Sequence, residues 1–328
     1  MTTVFLTGAS GFLGGHLLRE LRAAGCEVRA LSRRPESDAT IAAAGGTPVH
    51  ASLADQAALQ ATLAGCAAVF HAAADTSLWR PQAAAQTASN VQGTEHLLRA
   101  AESAGVQGFM HTSSVSAWSH LVHGVIDESV PQRGGDSWIN YERSKYLGEQ
   151  AVRRSALPWI VFNPSHILGP GDRHNWARLI MLVDRQKLPG IPPGIGAFAD
   201  VREIAKAQVR AWQQRRFEQR FLLGGEQASF VDFVQRVGTA LGRRTPRGAT
   251  PAWALMGFGR LSAAWSHVTG REPDITPEGA ALTAHRLQVD SGKARRELGY
   301  VETPLDALLA DTLAWMRQEG MLVGPPPA

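Results

Sequence analysis

Over the first 165 residues, apolar and polar positions alternate between two periods. Nearly uninterrupted apolar runs at Val4–Thr7, Val28–Ser32, Pro48–Ala51, Ala67–His71, Gly108–Ser113 and Trp159–Asn163 read as strands buried on both faces. Between them, helical periodicity covers about 14–24, 38–44, 55–64, 81–104 and 141–155. Strict alternation of the two predicts a doubly wound parallel α/β sheet. From Pro164 the texture changes, and the Gly/Pro-rich run Pro189–Gly196 is expected to carry no regular structure. A helix ending near Phe217 and a strand at Arg220–Leu223 predict a return to the first unit. Helices at about 229–242, 251–268, 276–285, 290–297 and 304–319 then make a smaller, mostly helical region. The expected division is 1–164 with the return of 197–224, a second region of 165–196 and 225–322, and a disordered tail at 323–328.

With 328 residues and 44% hydrophobic composition, the chain can bury a substantial core. The net charge of +4 lies in short pairs such as Arg33-Arg34 and Arg243-Arg244, without aromatic interleaving, so nucleic acid is not an expected partner. Cys26 and Cys66 have no metal-ligand spacing and are expected to be reduced thiols; no metal site is expected. The chain enters a strand at once, without a secretory leader pattern, and a cytoplasmic protein is the expectation. The apolar stretch Pro251–Trp265 is too short to span a bilayer. The preferred reading is a helix covering a pocket, with contact to a membrane surface as the alternative.

Chemistry enters with Gly8-Ala9-Ser10-Gly11-Phe12-Leu13-Gly14, which follows the first strand and opens the first helix. Glycines at these places permit a sharp turn, close approach of a ligand and tight packing of helix on strand, while the free N–H groups of the helix start face an anion. The second strand arrives at the spacing of a βαβ nucleotide-binding unit. Further on, Tyr141 and Lys145 lie four apart at a helix start and share a face. A cation there is expected to lower the phenol from its ordinary value near ~10 and make it a usable acid or base. Ser113 and Ser114 end the fifth strand at the carboxyl edge, where a hydroxyl can polarise a carbonyl. Of the two, Ser113 is the one expected to serve only as a backbone cap.

Taken in order and spacing, these segments resemble an extended short-chain dehydrogenase/reductase. The resemblance rests on Thr7–Gly14, His71-Ala72-Ala73-Ala74, Asn90-Val91-Gln92-Gly93-Thr94, Thr112-Ser113-Ser114, Tyr141-x-x-x-Lys145, Asn163-Pro164-Ser165, Leu168–Asp172, Asp200–Ala205 and Lys293–Tyr300. It implies a Rossmann fold in which Ser114 orients a carbonyl, Tyr141 exchanges the proton, and Lys145 holds the nicotinamide ribose. Asn90 completes a proton relay or fixes the local backbone. It also implies that the cofactor lies against Gly8, Ser10, Gly11, Phe12, Leu13 and Gly14, passes Ala72, Ala73, Ala74 and Thr112, and reaches Pro164 and Ser165. Ser52 and Leu53 occupy the adenine-contacting position, where the family usually has Asp-Leu. His71 is read as structural.

Charge argues the cofactor. At the end of the second strand, where an NAD-binding chain carries an acid, this one has Ser32-Arg33-Arg34, which favours the 2′-phosphate of NADP(H) over NAD(H). The Pro164-Ser165 form resembles the branch of dihydroflavonol reductase and 3β-hydroxysteroid dehydrogenase. Trp79, Trp118, Trp138, Trp176 and Phe198 are candidates to receive an apolar substrate body. The expectation is an NADP(H)-dependent enzyme of a small carbonyl or alcohol substrate. The alternatives are a nucleotide-sugar epimerase or dehydratase with tightly held NAD, and a non-catalytic NADP(H) sensor. Helices 90–104 and 141–155 have the apolar positions to form a homodimer face.

Overall fold

The computed structural model describes residues 1–273 and 275–323, without the side chains of residues 267 and 268. The expected tail beyond residue 323 therefore lies outside the described residues.

The chain opens with β1 (Thr3–Thr7), α1 (Phe12–Ala23), β2 (Glu27–Ser32), α2 (Pro35–Ala43), β3 (Thr47–His50), α3 (Gln56–Leu63) and β4 (Ala68–His71). Next comes one long helical passage, expected as a single helix. It starts as a 3-10 turn at Arg80–Gln82 and continues as α4 (Ala83–Thr87), a widened π turn at Ala88–Gln92 and α5 (Gly93–Ser103). β5 (Phe109–Thr112), β6 (Gly124–Ile126), α6 (Asn140–Arg154), β7 (Trp159–Pro164), β8 (His166–Leu168), α7 (Trp176–Asp184), β9 (Ile195–Asp200), α8 (Val201–Gln213) and β10 (Gln219–Leu223) follow. The last part holds β11 (Glu226–Ser229), α9 (Phe230–Leu241), α10 (Ala252–Thr269), α11 (Pro277–Ala284), β12 (Leu287–Val289), α12 (Gly292–Leu298) and α13 (Leu305–Gln318).

Seven parallel strands form the main sheet in the order β10-β7-β5-β4-β1-β2-β3. The period-two pleat divides β1 between two cores. Val4 and Leu6 pack with Leu17 and Leu21 of α1 and Ile204 of α8, while Phe5 packs with Leu63 of α3, Leu97 of α5 and Val152 of α6. The order in which successive strands are laid down reverses between β1 and β4, opening a crevice at their carboxyl ends where such sheets take ligands. Cys26 and Cys66 are free and buried.

The region after Pro164 is less loop-like than its composition predicts. α7 forms there, and β9 begins at Ile195 inside the Gly/Pro run, pairing with β8 and β11 in a three-stranded sheet. A core of Phe198, Phe230, Phe233, Ile180 and Leu309 supports it. Here tertiary burial of nearly every position of β9 outweighs the local preference of glycine and proline.

Candidate active site

The glycine turn is held by backbone contact that no other residue would permit. Gly8 has φ +77°, and a Cβ on it would stand 2.8 Å from the Ala73 nitrogen; a Cβ on Gly14 would overlap the Gly8 carbonyl oxygen. The turn after β1 therefore lies against the chain leaving β4, and α1 starts tight against that turn. Its N-cap, Gly11, supplies no side-chain hydrogen bond, and its first turn contains no acid. The unsatisfied N–H groups of that turn fit the phosphates of a dinucleotide.

Beneath this turn runs a closed chain of hydrogen bonds. Thr94 donates its hydroxyl proton to the Asn90 carbonyl at 2.8 Å, so its oxygen accepts from His71 Nε2 at 3.0 Å. His71 Nδ1 must then accept, from Thr7 Oγ1 at 2.7 Å, and Thr7 in turn accepts the Ala73 N–H at 3.1 Å. Burial, with the Lys145 charge adding to it, pulls His71 down to about 3, so the ring is neutral and its tautomer is fixed. His71 is structural, as expected. Asn90 lies in the π turn, accepts the Asp75 N–H through Oδ1 at 2.7 Å, and donates through Nδ2 to the Asp75 carbonyl and to Ser144 Oγ. Both ends of its amide are thus spent on fixing the backbone beside Ala72, Ala73 and Ala74.

Across the crevice, α6 brings Tyr141 and Lys145 to the ends of β5 and β7. The hydroxyls of Ser114 and Ser116 stand near enough to the Tyr141 phenol to act on its proton, which brings two of the expected groups together with one that was not anticipated. The phenol does not move as expected. Burial raises it, the two serine hydroxyls oppose that, and Glu142 adds to the rise. Lys145 is itself drawn down to about 8 by burial, against the pull of Glu149, and its Nζ donates to the Thr112 carbonyl at 2.9 Å. The capping expected of Ser113 falls to Ser114. Ser114 Oγ accepts the Ser116 N–H and caps the following 3-10 turn, whereas the Ser113 hydroxyl is buried without a partner.

Three buried residues that spacing did not mark as functional, Asn163, Glu149 and Glu142, hold this arrangement. Asn163 donates to the Ser114 carbonyl at 3.1 Å and to Glu149 at 2.7 Å; Glu149 is also engaged by Gln132 and by Arg220. Glu142, next to Tyr141, accepts from Ser119, Ser137 and the backbone and ring of His120. The available signal was positional: Glu149 lies four after Lys145, on the same helix face.

The remaining expected contacts divide. Arg33 and Arg34 are exposed directly after β2, without an ion pair among the described residues, and Ser32 is buried with its hydroxyl on the Arg34 carbonyl. Ser52 turns its hydroxyl back onto the Ala54 N–H, and Leu53 packs over Gly93. Pro164 is buried at the end of β7, and Ser165 donates to the Ala197 carbonyl, tying the main sheet to β9. Phe12 and His16 of α1 lie against Gly171, with His16 bonded to the Pro170 carbonyl.

A cavity of about 600 Å³ opens between α10 and the two loops that carry Trp79 and Trp138. Pro81, Met256, Ala263 and Pro277 line it, with Arg80 paired to Glu278 at 2.9 Å and Arg260 also on the wall. Ser114, Tyr141 and Lys145 are not among its lining residues; Trp138 on its wall lies three residues before Tyr141 in the chain. The other aromatic candidates are core. Trp118 is fully buried with its indole N–H on the Val130 carbonyl, and the partly buried Trp176 stacks on Phe230 and meets Phe198 and Phe233 edge-on. An internal aromatic cluster satisfies their burial without a ligand.

Comparison with known proteins agrees with this geometry. The sequence model of the NAD dependent epimerase/dehydratase family matches residues 4–224. A Synechocystis sp. protein whose name assigns it provisionally to dihydroflavonol 4-reductase is 30% identical over 96% of this chain and 95% of its own. The Stigmatella aurantiaca 4-hydroxy-2-methyl-3-oxo-4-farnesyl-3,4-dihydroquinoline-1-oxide ketoreductase is 30% identical over 93% of this chain and 95% of its own. The crystal structure of gox2253 superposes with TM-score 0.84 at 29% identity, covering 98% of this chain and 100% of that one. With its glycine turn and Tyr141-Lys145 pair at the carboxyl edge of a parallel sheet, the chain belongs to the NAD-dependent epimerase/dehydratase family of extended short-chain dehydrogenases/reductases.

Proposed function

We propose that this protein is an NADP(H)-dependent oxidoreductase that reduces a ketone or aldehyde, or oxidises the matching secondary alcohol, on a small hydrophobic or aromatic substrate. The observation that carries the reading is the grouping of the Tyr141, Ser114 and Ser116 hydroxyls beside the buried ammonium of Lys145. When bound, the nicotinamide supplies or takes the hydride. A phenol raised by burial is protonated at neutral pH and suits the donor role in reduction, with Ser114 orienting the carbonyl oxygen. Lys145 holds the ribose and contributes positive charge. Arg33, with Arg34, receives the 2′-phosphate of NADP(H), and the mostly apolar cavity walls favour a substrate without a nucleotide. The ketoreductase among its relatives supports the same direction.

A panel of aldehydes, ketones and sterols, followed by NADPH oxidation with NADH in parallel, tests this. Turnover with NADPH preferred is the expected result. Co-purifying NAD with turnover of a UDP- or GDP-sugar would replace the reading by epimerase or dehydratase chemistry, and NADPH binding without turnover of any compound would replace it by sensing.

A further inference from the structure

We infer that α10 is an interfacial helix that lays its outward face on an anionic lipid bilayer. Ten large hydrophobic side chains are exposed among the described residues, and four of them, Trp253, Phe258, Leu261 and Trp265, sit on this one helix at 79%, 53%, 73% and 67% exposure. At 3.6 residues per turn these four fall, with Gly257 and Ala264, within an arc of roughly 140° that contains no charged residue. The cavity-lining residues Met256, Ala263 and Ser266 occupy the opposite side, and Arg260 stands at the edge of the arc beside Trp253. One face is therefore committed to the protein and the other has no cover among the described residues.

Charge selects the occupant. Residues 243–271 contain five arginines and neither aspartate nor glutamate. Arg243 is tied to Asp184, but Arg244 and Arg247 before the helix and Arg271 after it are exposed and make no ion pair among the described residues. The next carboxylate, Glu272, accepts from Ser77 at 3.2 Å. The result is an apolar bar about 27 Å long with free guanidiniums at both ends, its tryptophans of the amphipathic type that favours the headgroup region. Apolar insertion and attraction to anionic headgroups act together in such helices. A second copy of the chain would bring the same arginines against each other. No helix of the described residues is long and apolar enough to cross a membrane, so the contact is superficial.

Co-sedimentation of the full chain with vesicles of phosphatidylcholine containing phosphatidylglycerol, and with phosphatidylcholine alone, tests the inference. The wild type is expected to bind the anionic vesicles, with binding weakened by salt and by Arg244→Gln/Arg247→Gln/Arg271→Gln. Trp253→Ser/Leu261→Ser/Trp265→Ser is expected to reduce binding by about tenfold or more. Because these side chains are exposed, circular dichroism and thermal unfolding of both variants should match the wild type. Absence of vesicle binding by the wild type, or undiminished binding by the apolar triple variant, overturns the inference. So does concentration-dependent self-association that the triple variant abolishes while vesicles remain unbound, which would make a second copy the occupant.

Discussion

Glu149 lies one helical turn beyond Lys145, fully buried, and its carboxylate opposes the burial that draws the lysine down to about 8. Removing that charge with Glu149→Gln should lower Lys145 further. If the ammonium is needed protonated, activity is lost above its pKa, so the alkaline limb of the pH–rate profile should move to lower pH. The check is kcat/KM against pH for both proteins; an unmoved limb would detach Lys145 from the rate.

Tyr141→Phe keeps the ring and removes the proton. Carbonyl reduction is expected to fall by about 10²- to 10⁴-fold, the usual contribution of a positioned acid. NADPH binding, read by fluorescence titration, should change little.

Arg33→Ser should raise the KM for NADPH by about tenfold, as expected for loss of a charge-assisted hydrogen bond, and leave that for NADH unchanged. Equal effects on the two cofactors would place the 2′-phosphate elsewhere.

Two glycine substitutions should act in opposite directions. Gly14→Ala forces a methyl into the Gly8 carbonyl and is expected to lower both Tm and NADPH affinity. Nothing stands within 4 Å of a Cβ at Gly257 in α10, so Gly257→Ala should stabilise the protein by about 0.5–1 kcal/mol through helix propensity. Thermal melts of the pair, with cofactor titration, separate steric need from simple tolerance.

Acid should destabilise the fold before the carboxylates titrate. Burial holds His71 at about 3 and His166 at about 4, below the ordinary 6.5. Below pH 6.5 the unfolded chain takes up protons that the folded chain refuses, so stability is fully present above that pH and is lost as pH falls toward the folded values. Denaturant midpoints measured from pH 7 to pH 4 should decline, and His166→Phe should flatten part of the slope.

The alternating pattern made the central sheet legible because its inner strands are buried on both faces and helices such as α1, α5 and α8 carry a full apolar stripe. The glycine turn, Ser114, Tyr141 and Lys145 were legible because their spacing reflects local geometry. Burial was not. The fall of Lys145 and the rise of Tyr141 depend on what packs over α6, and the partners Asn163 and Ser116 approach only through the tertiary fold. β8, β9 and β11 were unreadable for a related reason: three- to six-residue strands in a mixed sheet leave too few alternations to stand out beside glycine and proline.

The ordered run from Ala73 through Thr7, His71 and Thr94 ends on a carbonyl of Asn90 that can only accept. Every proton along it is consequently polarised one way, and the other tautomer of the imidazole would set the Nε2 lone pair against that of the Thr94 oxygen. The Nε2–H of His71 should therefore survive as a sharp, slowly exchanging resonance in water, a built-in spectroscopic reporter of whether the floor beneath the glycine turn is intact.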